Sequence, residues 1–238
     1  MGTSRSRLVA AALVLGMAGA PALPAQVDYR NLDDARPSRV TDAYPVERFA
    51  FELSMGGRLR TGNGVTEGRA SPHLEYGIFR NLMVGVGAEL MDQGSHFEAS
   101  AFWNARRETP GFPAVSLAAS VGEDPLVRFL ATRSFGLSRL HLNTGLDLSG
   151  PTDWWGGLAW DRTLFRTSTL VVGELVAERV GLGQGVEWSA GVGLRRQLTP
   201  TVVIHGGVSQ GLGGLGTEFS LGLSHAFAIA GLMRGARR

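Results

Sequence analysis

The sequence predicts an all-β fold: a transmembrane up-and-down antiparallel barrel of about twelve strands. Three observations predict it. Apolar residues recur at every second position, segment after segment, from residue 47 onward. These segments run about ten residues, the length that crosses a bilayer when a strand is tilted. The connections between them alternate between tight turns and looser Gly-rich loops, as the two unlike rims of a barrel would. The stretch RNLMVGVGAELMDQG, residues 80–94, carries the pattern clearly. Leu82, Val84, Val86, Ala88 and Leu90 fall on one face, and Met83, Gly85, Gly87 and Glu89 on the other. Successive side chains of a strand point to opposite sides, so period two means two unlike faces.

Composition excludes several classes. With 34 glycines and 44% hydrophobic residues, the 238-residue chain is neither disordered nor collagen-like. It contains no cysteine, so no disulfide supports it in an oxidising compartment. Its formal charge is +2, and its basic residues are all arginines, scattered along the chain. They form no stripe of the kind that binds nucleic acid.

The elements follow in order. Residues 1–25 read as a signal peptide: Arg5 and Arg7 precede the uncharged run Leu8–Ala20, then small residues with cleavage between Ala22 and Ala25. The run falls short of the ~20 apolar residues of a spanning helix. Export and alternating strands together place the protein in the cell outer membrane. Residues 26–46 are polar, with Pro37 and Pro45, and carry Asp33, Asp34, Arg36, Arg39 and Asp42. They are read as a leader, either a plug that enters the lumen or a plain tail. Residues 47–238 are read as the barrel.

Its strands are expected at 47–58, 70–79, 82–91, 95–106, 114–122, 125–135, 139–148, 152–162, 168–178, 185–196, 201–210 and 217–227. The apolar faces include Phe49, Phe51, Leu53 and Met55 in the first, Leu140, Leu142 and Leu146 in the seventh, and Val186, Trp188, Val192 and Leu194 in the tenth. In a bilayer the apolar face meets lipid and the small or polar face lines the lumen. Trp103, Trp154, Trp160, Phe79, Phe135 and Phe227 lie near strand ends, where an aromatic girdle would sit. On this register Val84, Val86, Leu142 and Val192 face lipid, whereas Gly85, Asn143 and Gly191 face the lumen and should tolerate serine. The last strand, TEFSLGLSHAF, resembles the C-terminal assembly signal of outer-membrane barrels, with a tail beyond it.

Three motifs fail on context. GVSQG around Ser209 lacks the helix of a nucleophile elbow. GLGGLG, residues 211–216, precedes a strand rather than the helix a dinucleotide site needs. His141 and Asn143 of HLN point into the lumen with no serine to make an esterase. The five histidines show no ligand spacing, so no metal and no cofactor are expected.

The lumen carries a charged cluster on this register: Glu89, Glu98, Asp147, Glu174, Glu187 and Glu218, with Arg58, Arg60 and Arg128 at similar height. Glu89 and Glu98 are expected to face each other across the third and fourth strands. Such a cluster either stiffens the barrel as an Arg–carboxylate network or selects solutes.

Five stretches, RPSRVTDAYPVERFAFEL, HLEYGIFRNLMVGVGAEL, HLNTGLDL, LVVGELVAER and LRRQLTPTVVIHGGVSQGL, resemble in that order the Gram-negative outer-membrane β-barrel transporter family that includes the phenol meta-pathway proteins. The resemblance spans the chain after the signal peptide. It implies a non-enzymatic passive channel or transporter for small solutes, hydrophobic or aromatic compounds among them. It supplies no catalytic residues. A structural or assembly-partner barrel is the alternative, and a lipid-modifying enzyme the third reading. The expected partners are outer-membrane lipid, the barrel-assembly machinery and a small solute.

Overall fold

Alternating strands must satisfy their backbone N–H and C=O groups between one another, and in lipid an open edge has no partner at all. This chain answers by closing on itself. The computed structural model describes residues 22–24, 30–32, 37–62, 64–91, 94–149, 153–164, 168–179, 185–214 and 216–229. The expected signal peptide lies outside them except for 22–24, as do Asp33, Asp34 and Arg36 of the leader.

Residues 22–24 form a short strand, β1 (Ala22–Pro24). Twelve longer strands make the wall: β2 (Ala50–Gly62), β3 (Val65–Phe79), β4 (Leu82–Met91), β5 (Gly94–Arg106), β6 (Ala114–Gly122), β7 (Leu126–Phe135), β8 (Ser138–Asp147), β9 (Trp154–Leu164), β10 (Thr169–Arg179), β11 (Glu187–Thr199), β12 (Val202–Leu212) and β13 (Thr217–Ile229). Each pairs antiparallel with its sequence neighbour, and β13 returns to β2 from Thr217↔Thr61 to Ala228↔Ala50. β1 pairs with Phe227–Ile229 of β13. The result is a closed twelve-stranded antiparallel barrel, as the alternation predicts.

The faces are inverted relative to a soluble protein. Leu221 is 72% exposed, Val192 62% and Val86 53%, while His141 and Asn143 are 0% exposed. Trp103, Trp154, Trp160, Phe79 and Phe135 are exposed on the outer face. Phe51 stacks between Tyr76 (ring centroids 4.4 Å) and Phe227 (5.3 Å) across the closing seam.

One rim carries the tight turns, including Arg80–Asn81 and Gly136–Leu137, and is called here the turn rim; the other is the loop rim. Gly136 takes φ +64°, a left-handed turn position that glycine accepts without a Cβ penalty.

Three local differences from the expected pattern have physical causes. The first strand starts at Ala50, not at residue 47, because Phe49 adopts φ +67° and a turn intervenes, with Ala50 N–H donating to Glu47 O. The segment LRTGNGVTEGR, expected as a loop, is mostly ladder, with Thr61↔Thr66 and Gly62↔Val65; backbone pairing beyond the apolar band needs no apolar pattern. Glu89 sits opposite His96 and Glu98 opposite Gly87, so the two glutamates are diagonal rather than facing. The slip is two residues, and an even slip leaves every face unchanged.

Candidate functional site

The inward faces are not uniformly polar. Met83, Phe102, Leu130, Leu170, Val172, Val176 and Val203 point inward and are buried. They form two apolar clusters with leader residues, one around Leu32 and Val40 and the other around Ala43 and Val46. The leader is their solvent.

Contacts from strand after strand around the wall fix its path. Ser220 Oγ of β13 donates to Pro37 O. Arg39 forks onto Glu178 of β10 at 2.9 and 2.6 Å, and the N–H groups of Arg39 and Val40 donate to Glu174 Oε2 at 2.7 and 3.1 Å. Thr41 N–H and Oγ1 donate to Asn143 Oδ1 of β8 at 2.8 and 3.1 Å, and Asn143 Nδ2 returns a bond to Thr41 O at 2.8 Å. Ala43 N–H donates to Thr132 Oγ1 of β7, and Ala43 O accepts from Asn104 of β5 and Ser116 of β6. Tyr44 OH donates to Glu108 in the β5–β6 turn at 2.9 Å, and Val46 N–H points at Met83 Sδ of β4 at 3.3 Å. A segment held from β4 to β13 lies within the lumen.

Beneath this lies a buried charge network. Arg139 contacts Asp42 of the leader at 2.9 Å and Asp161 of β9 at 2.5 Å, and its guanidinium also donates to Arg30 O. His141 Nε2 meets Asp161 at 3.0 Å and its Nδ1 meets Thr132 Oγ1 at 3.0 Å. Thr132, His141 and Asp161 are aligned like a hydrolytic triad, but all three are at most 1% exposed and Thr132 Oγ1 already accepts Ala43 N–H. Their geometry positions the leader.

Glycine makes the room. A Cβ on Gly157 would lie 2.4 Å from Val40 Cγ2, and one on Gly193 2.6 Å from Pro37 Cβ. Where the leader leaves the lumen, a Cβ on Gly77 would lie 2.1 Å from the Glu47 carbonyl oxygen. Phe49 N–H donates to Gly77 O at the same crossing.

On the loop-rim side of the leader is a vestibule of about 340 Å³. Thr41, Asp42, Tyr44, Met83 and Phe102 contribute its leader side, and Glu75, Glu89, Glu98, Glu123, Asp124, Arg58, Arg128, His73 and His96 its charged lining. Several charges are paired: His73 with Glu98 at 3.4 Å, Arg69 with Glu89 at 3.3 Å, His96 with Glu123 at 3.2 Å.

Of the cluster expected from sequence, Glu89, Glu98, Arg58 and Arg128 share this vestibule. Arg58 also reaches Glu218 at 3.8 Å. Glu174 holds the leader instead. Asp147 caps its own loop through Ser149. Glu187 and Arg60 are exposed at loop-rim strand ends. The sequence reading did not single out Arg139, Asp161, Thr132 or Glu108. Arg139 and Asp161 carried a usable signal: each is a charge in lumenal phase near the turn rim, directly opposite the other in the β8–β9 ladder.

Outer-membrane porins share this architecture. A KdgM porin structure superposes with TM-score 0.58 at 11% identity, over 73% of this chain and 98% of that one. A KdgM porin in complex with disordered oligogalacturonate gives 0.57 at 10% identity over the same shares. A NanC porin gives 0.54 at 10% identity, again over 73% of this chain and 98% of that one. The fold is porin-like. No family model matches the chain, and no curated protein matches it.

Proposed function

We propose that this protein is an outer-membrane channel for small solutes, partly closed from the turn rim by its own N-terminal leader. The observation that carries the reading is the juxtaposition of a charged vestibule with leader residues 37–46 inside a closed porin-like barrel. The signal-peptide pattern and the outward apolar band support export and residence in the outer membrane, with the turn rim toward the periplasm. Insertion through the barrel-assembly machinery goes with that location.

The vestibule suits solutes with a polar group, and hydrophobic or aromatic compounds fit it where they carry one. Its carboxylates Glu75, Glu89, Glu98, Glu123 and Asp124 outnumber Arg58 and Arg128. Charged linings of this kind favour the opposite ion, so the channel prefers cations. The test is conductance in planar bilayers for the full chain and for a chain lacking residues 27–43. A rise on deletion, in a barrel that keeps its heat-dependent gel mobility, supports a plugged channel. Two silent barrels would instead support a structural role, which a filled lumen also suits.

A further inference from the structure

We propose that the vestibule has a lateral exit to the bilayer between β3 and β4, at Pro72, for small amphipathic solutes with an apolar body and one polar group. The proposal rests on the channel reading above and adds a route to it.

The ladder is interrupted there. Pairing between β3 and β4 runs from Arg69↔Met91 to Ala70↔Leu90, then resumes at His73↔Gly87, so the β4 ladder skips 71 and 72, while Ser71 keeps its pair with Gly56 of β2. The register is unchanged across the gap, so this is no bulge. Pro72 explains it. On its other side Pro72 pairs with Met55 of β2, so the side that lacks its partner faces β4. Proline has no N–H to give, and within a sheet it belongs at edges or bulges. In a closed barrel it leaves a weak place in the ladder. The flanking residues are small: Ser71 and Gly87 toward the lumen, Ala70 and Ala88 toward lipid.

Hollows flank the interruption on both sides. Ser71, His73 and Glu89 line the vestibule. Outside, a groove of about 600 Å³ runs over Gly57, Gly68 and Ala70 between Leu59, Leu90, Phe219 and Leu221. Ala70 and Leu90, the last pair before the gap, end that groove. The leader gives the route a purpose: a solute entering from the loop rim meets Thr41, Asp42 and Tyr44 below it. An apolar body can leave sideways into hydrocarbon while its polar group stays by His73 and Glu89 until the last step. Parting the strands here breaks fewer ladder bonds than anywhere the pairing is continuous.

The test uses vesicles with lipopolysaccharide in the outer leaflet and N-phenyl-1-naphthylamine, which fluoresces on entering hydrocarbon. The full chain should raise the initial rate several-fold over protein-free vesicles. Pro72→Ala restores the missing donor and should return the rate to the protein-free level. In a chain without native cysteine, an Ala70→Cys/Leu90→Cys pair keeps Pro72 and can be stapled; its oxidised form should lose delivery and dithiothreitol should restore it. Ion conductance of these variants should match the full chain, since none of these residues lines the vestibule. Probe delivery that survives both the alanine and the staple overturns the lateral exit and leaves the channel reading standing. Failure of the leader deletion to raise conductance strikes the channel reading instead.

Discussion

Asn143 of β8 holds Thr41 of the leader as one peptide holds another, its amide accepting the Thr41 N–H and donating to the Thr41 carbonyl, both at 2.8 Å. The pair is buried, so loss of the amide leaves a peptide N–H and C=O with neither protein nor bulk water to meet them. An unsatisfied buried polar group costs roughly 1–3 kcal/mol. Asn143→Ala should therefore destabilise the docked leader by about 2 kcal/mol and raise conductance. Asn143→Ser, which the sequence alone marks as harmless, should also fail to restore both bonds. Wild-type conductance in both variants would show that the leader does not close the channel.

Arg139 is 3% exposed between Asp42 and Asp161. Removing one member of a buried charge group strands the others, at a cost of about 3–5 kcal/mol. Arg139→Met should approach that cost in urea unfolding of the detergent-solubilised barrel. Asp42→Asn should cost less, since Asp161 still pairs with the arginine. Equal losses in the two variants would mean that Asp161 does not hold Arg139 by itself.

The glycine seats give a rescue experiment. Gly157→Ala puts a methyl against Val40, a short side chain, whereas Gly77→Ala drives one into the Glu47 carbonyl. Gly157→Ala should raise conductance, and Val40→Ala in the same chain should bring it back toward wild type. Gly77→Ala should have no such partner and should reduce the yield of folded barrel on refolding into detergent. Additive effects of the Gly157 and Val40 changes would argue against their contact.

The lipid face is tested by Val86→Arg and Val192→Arg, which should each cost about 2–4 kcal/mol near mid-membrane. Both side chains are more than half exposed on the outer face. Folding titrations into lipid vesicles read the loss. Indifference to both changes would put these residues outside the apolar band.

Acid should loosen the leader at Tyr44. Burial alone would raise the Glu108 carboxyl, but hydrogen bonds from Ser134 N–H, Ser134 Oγ and Tyr44 OH, with Arg133 nearby, hold it below its ordinary value. A group depressed in the folded state stabilises fully above its unfolded value and loses that contribution as pH falls through the folded one. Conductance of the full chain should thus be flat above the ordinary carboxylate range, about pH 4, and rise below it. Glu108→Gln should shrink the acid-induced rise.

The wall was legible in the sequence, and the leader was legible as one of two things, a plug or a tail, but its path was not. Period two is imposed by the pleat itself, so Leu82–Leu90 or Val186–Leu194 could be read without knowing their neighbours. The leader's path could not, because nothing local ties Thr41 to Asn143, 102 residues away. One trace was present. LVVGELVAE of β10 carries apolar residues on both faces, with Leu170, Val172 and Val176 inward beside Glu174 and Glu178, and Val171 and Leu175 outward. A strand between lipid and a wet lumen should have one polar face, so its double face called for an apolar partner inside. The diagonal placement of Glu89 and Glu98 depended on the hairpin connection, where composition says little about register.

The leader is continuous with β2, and β2 is the strand that seals the cylinder against β13. Its anchors meanwhile lie on β5, β6, β7, β8 and β10. A segment fastened to the last seam and bonded to the middle of the sheet must be in place while the sheet is still a curved open ribbon, or be threaded through afterwards. In the first case sealing and filling would be a single event in biogenesis, with the N-terminal segment as the mandrel on which the cylinder is rolled.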